Sequence, residues 1–282
     1  MQSPSSINTY FQCPRKYFYI YKLRMPTSPS IHLVRGSIAH LVLEKLYTIV
    51  PEVISDNYKE NLKLIIEELL KKYWKESEEE LQQLELTKQE INMYLEETKN
   101  MLLNYLEQYI KKLDKEITEK NLNFVEAFNK LKPETEKEYL SWEHYVKGFI
   151  DVIENYEGKI RLMDYKTSKK PVLTDAYKLQ LAIYALLYKT KHDKKPDEVG
   201  IYFLRDGETT IKVTDDLIKE AEFKIEQIHA STESDDIKDY KKNQTPLCKW
   251  HSGQCDFYDY CFKNKKIPEE PLPKRTYTPS NN

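Results

Sequence analysis

Two short stretches decide how this chain is read: Gly148-Phe149-Ile150-Asp151 and, beyond a turn, Asp164-Tyr165-Lys166. They lie in β-rich segments, expected at 136–142, 145–156 and 159–166, with a hairpin turn at Asn155 to Gly158. Side chains alternate faces along a strand, so Asp164 and Lys166 point the same way while Tyr165 points the other. Pairing the two strands antiparallel brings Asp151 beside Asp164. Two carboxylates so placed suit a hard divalent cation, which prefers oxygen ligands. Mg²⁺ or Mn²⁺ there polarises a phosphoryl oxygen and activates a water, and a neighbouring lysine stabilises the developing charge. Alone, the Asp164–Lys166 pair is more simply a surface ion pair, worth about 0–1 kcal/mol. The spacing of Asp151, Asp164 and Lys166, with what surrounds them, lifts the reading above that.

Working outward, residues 175–191 form an amphipathic helix with Gln180 and Tyr184 one turn apart on one face. Both side chains can meet a phosphate or a base; both also suit the boundary of a core. Further β-rich stretches at 198–204 and 209–213 flank Asp206-Gly207, and a helix follows at 217–229. Upstream, Ser5 or Ser6 is the expected cap of a first helix. Gly36 is expected to lead into a second helix, on which His40 and Glu44 share a face. A lone histidine is usually structural, but imidazole can join carboxylates at a Mn²⁺ site. Residues 57–130 are rich in Glu, Lys and Leu with helical periodicity. They read as solvated helices without chemistry.

Composition sets bounds. The 282 residues are 40% apolar and 32% charged, as in a soluble globular protein. Six glycines weigh against a turn-rich sandwich, and no Gly-x-x-x-x-Gly-Lys or Gly-x-Gly-x-x-Gly pattern supports a nucleotide-loop fold. No apolar run is long enough to span a bilayer, and no leader-like segment opens the sequence, so a cytoplasmic protein without membrane contact is expected. The four cysteines, Cys13, Cys248, Cys255 and Cys261, then read as metal ligands or free thiols. A net charge of -2 does not announce a nucleic-acid binder. Locally, Arg15, Lys16, Lys22, Arg24 and Arg35 interleave with Tyr10, Phe11, Tyr17, Phe18, Tyr19 and Tyr21. Phosphate contact with base stacking wants that mixture, and so does an amphipathic helix with a tyrosine-rich buried face.

The pieces Ser5-Ser6-Ile7, Cys13-Pro14-Arg15-Lys16-Tyr17, Arg35-Gly36-Ser37-Ile38-Ala39-His40, Gly148-Phe149-Ile150-Asp151, Asp164-Tyr165-Lys166-Thr167, Gln180 with Tyr184, and the three late cysteines occur in an order that resembles one family. The chain resembles the RecB-like branch of the PD-(D/E)XK nuclease superfamily, closest to the iron–sulfur exonucleases typified by the CRISPR-associated RecB-like exonucleases and the AddB nuclease domain. The likeness covers about residues 1–48 and 134–262.

The resemblance implies an α/β (α+β) restriction-endonuclease-like core of order α-β-β-β-α-β. Around it come a helical insertion and a periphery stapled by cysteines. It implies metal ligation by His40, Asp151, Asp164 and the carbonyl of Tyr165, catalysis by Lys166, and a DNA site shaped by Gln180 and Tyr184. The family's early acid matches Glu136 or Glu138. In such relatives the cysteines carry a [4Fe–4S] cluster, for which four thiolates are suited. Here Cys248 and Cys255 are separated by Lys249-Trp250-His251-Ser252-Gly253-Gln254, longer than the family spacing. That longer loop leaves His251 as a possible substitute ligand and structural Zn²⁺ as the alternative metal.

The divisions expected are N-terminal helices at 1–50, the insertion at 51–132, the nuclease core at 133–232, the cysteine segment at 233–266 and a disordered tail at 267–282. The implied function is a Mg²⁺- or Mn²⁺-dependent DNA exonuclease acting on single-stranded or frayed ends in repair, recombination or CRISPR adaptation. Helicase or CRISPR-adaptation proteins are the implied partners. A catalytically weak DNA-end-binding subunit and an endonuclease on the same core are the alternatives.

Overall fold

A computed structural model describes residues 1–251 and 253–268. Most of the tail expected to be disordered, 269–282, lies outside the described residues. Helix α1 (Pro4–Gln12) starts from Ser3, whose hydroxyl accepts from the Ser6 amide while the Ser6 hydroxyl accepts from the Ser3 amide. The expected cap at Ser5 or Ser6 is therefore corrected to Ser3. Pro4 takes the first helical position, where a missing N–H costs nothing. After the short α2 (Pro14–Tyr17) and a wide turn to Lys22, α3 (Ile31–Leu46) begins under a Ser30 cap. Gly36 thus lies inside this helix rather than leading into it. Helices α4 (Tyr58–Glu76), α5 (Glu78–Gln82), α6 (Lys88–Lys120) and α7 (Phe124–Leu131) follow. Reciprocal caps, Thr87 with Glu90 and Asn123 with Glu126, open α6 and α7.

The sheet comes next: β1 (Glu134–Ser141), β2 (Val146–Tyr156) and β3 (Lys159–Lys166), then α8 (Asp175–His192), β4 (Glu198–Phe203), β5 (Gly207–Lys212) and α9 (Asp215–Ser231). Its spatial order is β1-β2-β3-β4-β5, with only the β3–β4 pair parallel. A parallel pair needs a crossover, and α8 supplies it. With α3 preceding β1, this is the α-β-β-β-α-β order expected of a restriction-endonuclease-like fold.

Alternation along the strands divides the interior into two cores. Ile201 and Phe203 join Leu162 and the α8 residues Leu181, Ile183 and Leu186 on one side. Tyr202 and Leu204 join Met163, Tyr165 and residues of α3, α4, α6 and α7 on the other. The helices of 58–131 carry charges on their outer face, as their composition suggested. Their inner face buries Leu62, Ile66, Leu70, Leu102, Tyr105 and Leu106 against the sheet. Each such aliphatic side chain stabilises by about 1.5–3 kcal/mol, so these helices form the second layer of the core.

Part of the aromatic N-terminal stretch packs into the core. Tyr17, Phe18 and Tyr19 are buried against Tyr240 and Phe257. Of the basic residues there, Arg35 is buried and paired with Glu97 at 2.9 Å, and Lys22 pairs with Asp235 at 2.8 Å. The buried tyrosine face is present, while Tyr21 and Arg24 remain exposed. At the far end, β6 (Lys249–Trp250) and β7 (Gly253–Gln254) form a hairpin before α10 (Tyr258–Phe262).

Candidate active site

The site is a row of carboxylates across three strands. Thr135 pairs with Val152 and Lys137 with Ile150, so Glu136 stands opposite Asp151. Val152 pairs with Met163, so the next step of that register sets Asp151 opposite Asp164. Neither acid pair belongs to the hydrogen-bonded ladder. Glu136 has φ of 50°, a left-handed conformation costing a non-glycine residue about 1–3 kcal/mol. Between β2 and β3 the ladder stops at Val152–Met163. Beyond it the Tyr165 amide donates instead to Asp151 Oδ2 at 3.0 Å. The sheet opens there, and helices from both faces reach the gap.

From the α3 side, His40 Nε2 lies 3.0 Å from the Tyr165 carbonyl oxygen. Its Nδ1 lies 3.3 Å from Asp151 Oδ2 and 3.7 Å from Glu136 Oε1. From the α8 side, the Gln180 amide donates to Asp164 Oδ1 at 2.7 Å and to the Tyr184 hydroxyl at 2.9 Å. Lys166 Nζ stands 2.6 Å from Asp164 Oδ2. The structure therefore brings together His40, Asp151, Asp164, Tyr165, Lys166, Gln180 and Tyr184. Of the two acids left open, Glu136 joins them; Glu138 pairs with Lys147 at 3.7 Å instead.

One contributor escaped the sequence reading except as a basic residue. Arg35, 2% exposed, donates to the carbonyl of Thr167 at 3.2 Å, immediately after Lys166, and binds Glu97 of α6. It ties α3, α6 and the end of β3 together. Its only sequence trace is its place beside Gly36 in the stretch that ends at His40.

Burial and the neighbouring carboxylates of Asp164 and Glu136 push the Asp151 carboxyl up to about 7, against the pull of His40 and the Tyr165 amide. Burial works against a charged His40, but Glu136, Asp151 and Asp164 outweigh it and raise the imidazole to about 9. Burial likewise opposes the Lys166 ammonium, and Asp164 reverses that and raises it.

These shifts describe a site with surplus acceptors. Both nitrogens of His40 face acceptors, the Tyr165 carbonyl on one side and two carboxylates on the other, so both carry protons while no cation is present. Asp164 Oδ2 is buried and has the Lys166 ion pair but no aligned hydrogen bond. His40, Glu136 and Asp151 offer ligand atoms all within 4.8 Å of one another. A converging set of carboxylate, carbonyl and imidazole donors fits Mg²⁺ or Mn²⁺.

The four cysteines line one pocket with Lys16, Lys242, Asn243 and Phe257. The long spacer is the β6–β7 hairpin: the Cys255 amide donates to the Cys248 carbonyl at 3.0 Å, closing its base. Cys248 and Cys255 are thus neighbours despite their separation in sequence. His251 is exposed on that hairpin, while Cys13 and Cys261 complete the pocket wall. No three of the thiols approach within 4.8 Å of one another.

Among the described residues no helix is long and apolar enough to cross a membrane. None of the curated proteins compared with the chain matches it. Among solved structures, the chain is similar to one from Eubacterium rectale, provisionally named an exonuclease. Identity is 15%, TM-score 0.48, with 96% of this chain and 90% of that one covered. A family model described as the PD-(D/E)XK nuclease superfamily matches residues 2–262, and the chain belongs to that superfamily of nucleases, hydrolases that act on DNA and generally use Mg²⁺ or Mn²⁺.

Proposed function

We propose that this protein is a metal-dependent DNA exonuclease acting on single-stranded or frayed ends. One observation carries the reading: His40, Glu136 and Asp151 offer ligand atoms within 4.8 Å of one another beside the Tyr165 carbonyl, and Asp164, paired with Lys166, stands opposite Asp151 where the sheet opens. Asp151, Asp164, His40 and the Tyr165 carbonyl would hold Mg²⁺ or Mn²⁺, with Glu136 beside them. Such a cation, when bound, polarises a phosphoryl oxygen and lowers the pKa of water.

The chain's own residues supply the rest. Asp164, oriented by Gln180, holds the Lys166 ammonium in the cleft. There Lys166 steers the attacking water and offsets charge that develops on the phosphate. The Tyr165 amide fixes the Asp151 carboxylate, and Tyr184 fixes Gln180 from behind. Arg35 anchors the backbone one residue past Lys166 and so limits where that lysine reaches.

The four cysteines belong to the same reading as ligands of a [4Fe–4S] cluster. A tetrahedral zinc site with bonds of 2.3 Å needs sulfurs about 3.8 Å apart. Four thiolates gathered around one pocket suit a cluster with one cysteine on each iron, and the choice over zinc rests on the sequence resemblance. Helicase or CRISPR-adaptation proteins as partners rest on the sequence resemblance alone.

The test is cleavage of an end-labelled single-stranded oligonucleotide in Mn²⁺ by anaerobically purified protein and its Asp164→Ala variant. Cleavage by the first only, with circular single-stranded DNA left intact, is expected, and the label pattern gives polarity. Equal cleavage by both proteins refutes the site. DNA binding without turnover in any divalent metal refutes the activity and leaves an end-binding subunit.

A further inference from the structure

We propose that Gly36 keeps a slot open on α3 through which one nucleic-acid strand passes from the acid row to a cationic cluster at Lys169 and Arg205. The inference rests on the nuclease reading and names the route its substrate takes across the site.

A glycine inside a helix needs a reason. Gly36 lies more than a turn inside α3, where glycine forms helix less well than alanine because its backbone loses more freedom. The fold itself does not ask for it. Its φ is outside the left-handed region, and a Cβ built there would have one neighbour within 4 Å among the described residues, the Thr167 hydroxyl oxygen at 3.9 Å. Gly200 differs: a Cβ there would meet the Thr209 carbonyl oxygen at 2.5 Å, so the sheet requires that glycine. What Gly36 supplies is room for something outside the chain to approach the helix backbone closely.

That room adjoins the catalytic groups. Thr167, across from Gly36, directly follows Lys166. His40 lies one turn further along the same face of α3, with Nε2 3.0 Å from the Tyr165 carbonyl oxygen. One turn in the other direction is His32, exposed, its ring 5.8 Å from that of Tyr94.

Charge gives the route its direction. Past Lys166 the chain places Lys169 and Lys170, both exposed. The Leu204 amide donates to the Lys166 carbonyl at 3.0 Å, so Arg205 stands at the same end of the sheet. Arg35 and Arg205 share a single carboxylate, Glu97, at 2.9 and 3.4 Å. Burial works against a charged Glu97, but Arg35, Arg205 and Lys169 hold its carboxyl below the ordinary value. Burial, with Arg35 and Lys169, pushes His32 down. Arg35, Lys169, Lys170 and Arg205 thus gather at this end against Glu97 and Asp206. On the opposite flank Lys147 is engaged by Glu138 and Glu143 is exposed, so no positive surplus exists there. A phosphate backbone is drawn to the first end and not to the second. The first end is also where the parallel strands β3 and β4 finish, the side on which ligands of open α/β sheets lie.

The experiment measures binding of a fluorescein-labelled oligothymidylate across a salt series, with Ca²⁺ in place of Mg²⁺. The proteins are the wild type, Gly36→Ala, Gly36→Met and the double variant Lys169→Gln/Arg205→Gln. Gly36→Ala should raise Tm by about 2–4 °C, as a better helix former does, yet slow cleavage of the same strand in Mn²⁺. Gly36→Met should weaken binding at least about tenfold, the scale of one lost contact to a charged group, while Mn²⁺ still raises its Tm. The double variant should lower the slope of log affinity against log salt by about 0.7 for each cation removed. Wild-type affinity in Gly36→Met overturns the slot, and an unchanged salt slope in the double variant overturns the route. A fall in Tm for Gly36→Ala means that the fold needs the glycine, and overturns it too. Should Gly36→Met fail to fold or lose its Mn²⁺ response, Gly36→Ala decides alone: a higher Tm with wild-type cleavage overturns the proposal. A wild type that takes up Mn²⁺ but neither binds nor cleaves the strand removes the nuclease reading itself, and this inference with it.

Discussion

The acid cleft and the cysteine pocket differ in what holds their donor atoms before any metal arrives. In the cleft, every donor is fixed by something other than a metal. The Tyr165 amide holds Asp151, Gln180 and Lys166 hold Asp164, and the Tyr165 carbonyl holds His40. The surrounding fold even maintains Glu136 at a positive φ. In the pocket, the four thiols come from three separate pieces of chain: the end of α1, the base of a two-residue-strand hairpin, and the short α10. Their sulfurs make only distant contacts, such as Cys248 Sγ to the Asn243 carbonyl at 3.6 Å and Cys261 Sγ to the Tyr19 hydroxyl at 3.9 Å. Burial pushes the Cys255 and Cys261 thiols up, which keeps them protonated until a metal displaces the proton. One site is organised to act on a ligand. The other, on the proposed reading, would be organised by its ligand, which would reinforce a contact between chain ends that Arg15 and Asn243 already make through hydrogen bonds to the backbone at Tyr240 and Gln12.

Substituting one residue in each region should separate them most widely. Lys166→Ala should lower cleavage by at least about 100-fold, the scale of losing one charge-stabilising donor, while Tm shifts by only a few degrees. Cys13→Ser should do the reverse, lowering Tm by about 5–10 °C with loss of bound iron and leaving Mn²⁺ affinity at the cleft unchanged. Cleavage kinetics, calorimetry and metal analysis on the two variants check both halves, and matching phenotypes break the comparison.

A smaller effect follows from protons. At neutral pH in the absence of metal His40, near 9, retains its proton, and Asp151, near 7, is about half protonated. Both protons must leave before those atoms bind a cation. Mn²⁺ affinity measured by calorimetry should therefore rise from pH 6 to pH 8, by about tenfold per pH unit for each proton displaced, with the slope falling above pH 7 as Asp151 loses its proton beforehand. A flat profile would mean that other atoms hold the metal. The smallest effect lies at the helix leading to Cys13. Ser3→Ala removes the cap of α1 and should cost about 1 kcal/mol in denaturant unfolding, while Ser5→Ala should cost nearly nothing.

Much of the cleft was legible because strand alternation and helical spacing are local. Those two periods put Asp164 with Lys166 and Gln180 with Tyr184, and the hairpin at Asn155 to Gly158 set β2 against β3. What escaped was long-range or broke a period. Glu136 could not be told from Glu138 because residues two apart share a strand face, and only the pairing of β1 with β2 sets Glu136 opposite Asp151. Arg35 looked like one more basic residue because its partner Glu97 lies 62 positions away. The helices of 58–131 advertise their charged outer face, and the residues their inner face covers, Val152, Met163 and Tyr202, come much later in the chain. The spacing from Cys248 to Cys255 looked too long until the hairpin folded it back. Ser3 caps α1 in place of Ser5 or Ser6 because its bond with Ser6 is reciprocal, and α3 starts at Ser30, more than a turn ahead of Gly36.

The central claim is that the acid row is one preorganised metal site, independent of the cysteines. Titrating Mn²⁺ into the wild type, Asp164→Asn and Cys13→Ser, with bound metal followed by electron paramagnetic resonance, tests it most directly. The account predicts that Asp164→Asn abolishes saturable binding and that Cys13→Ser binds as the wild type does. Saturable binding that survives Asp164→Asn, or that disappears in a folded Cys13→Ser, would contradict it.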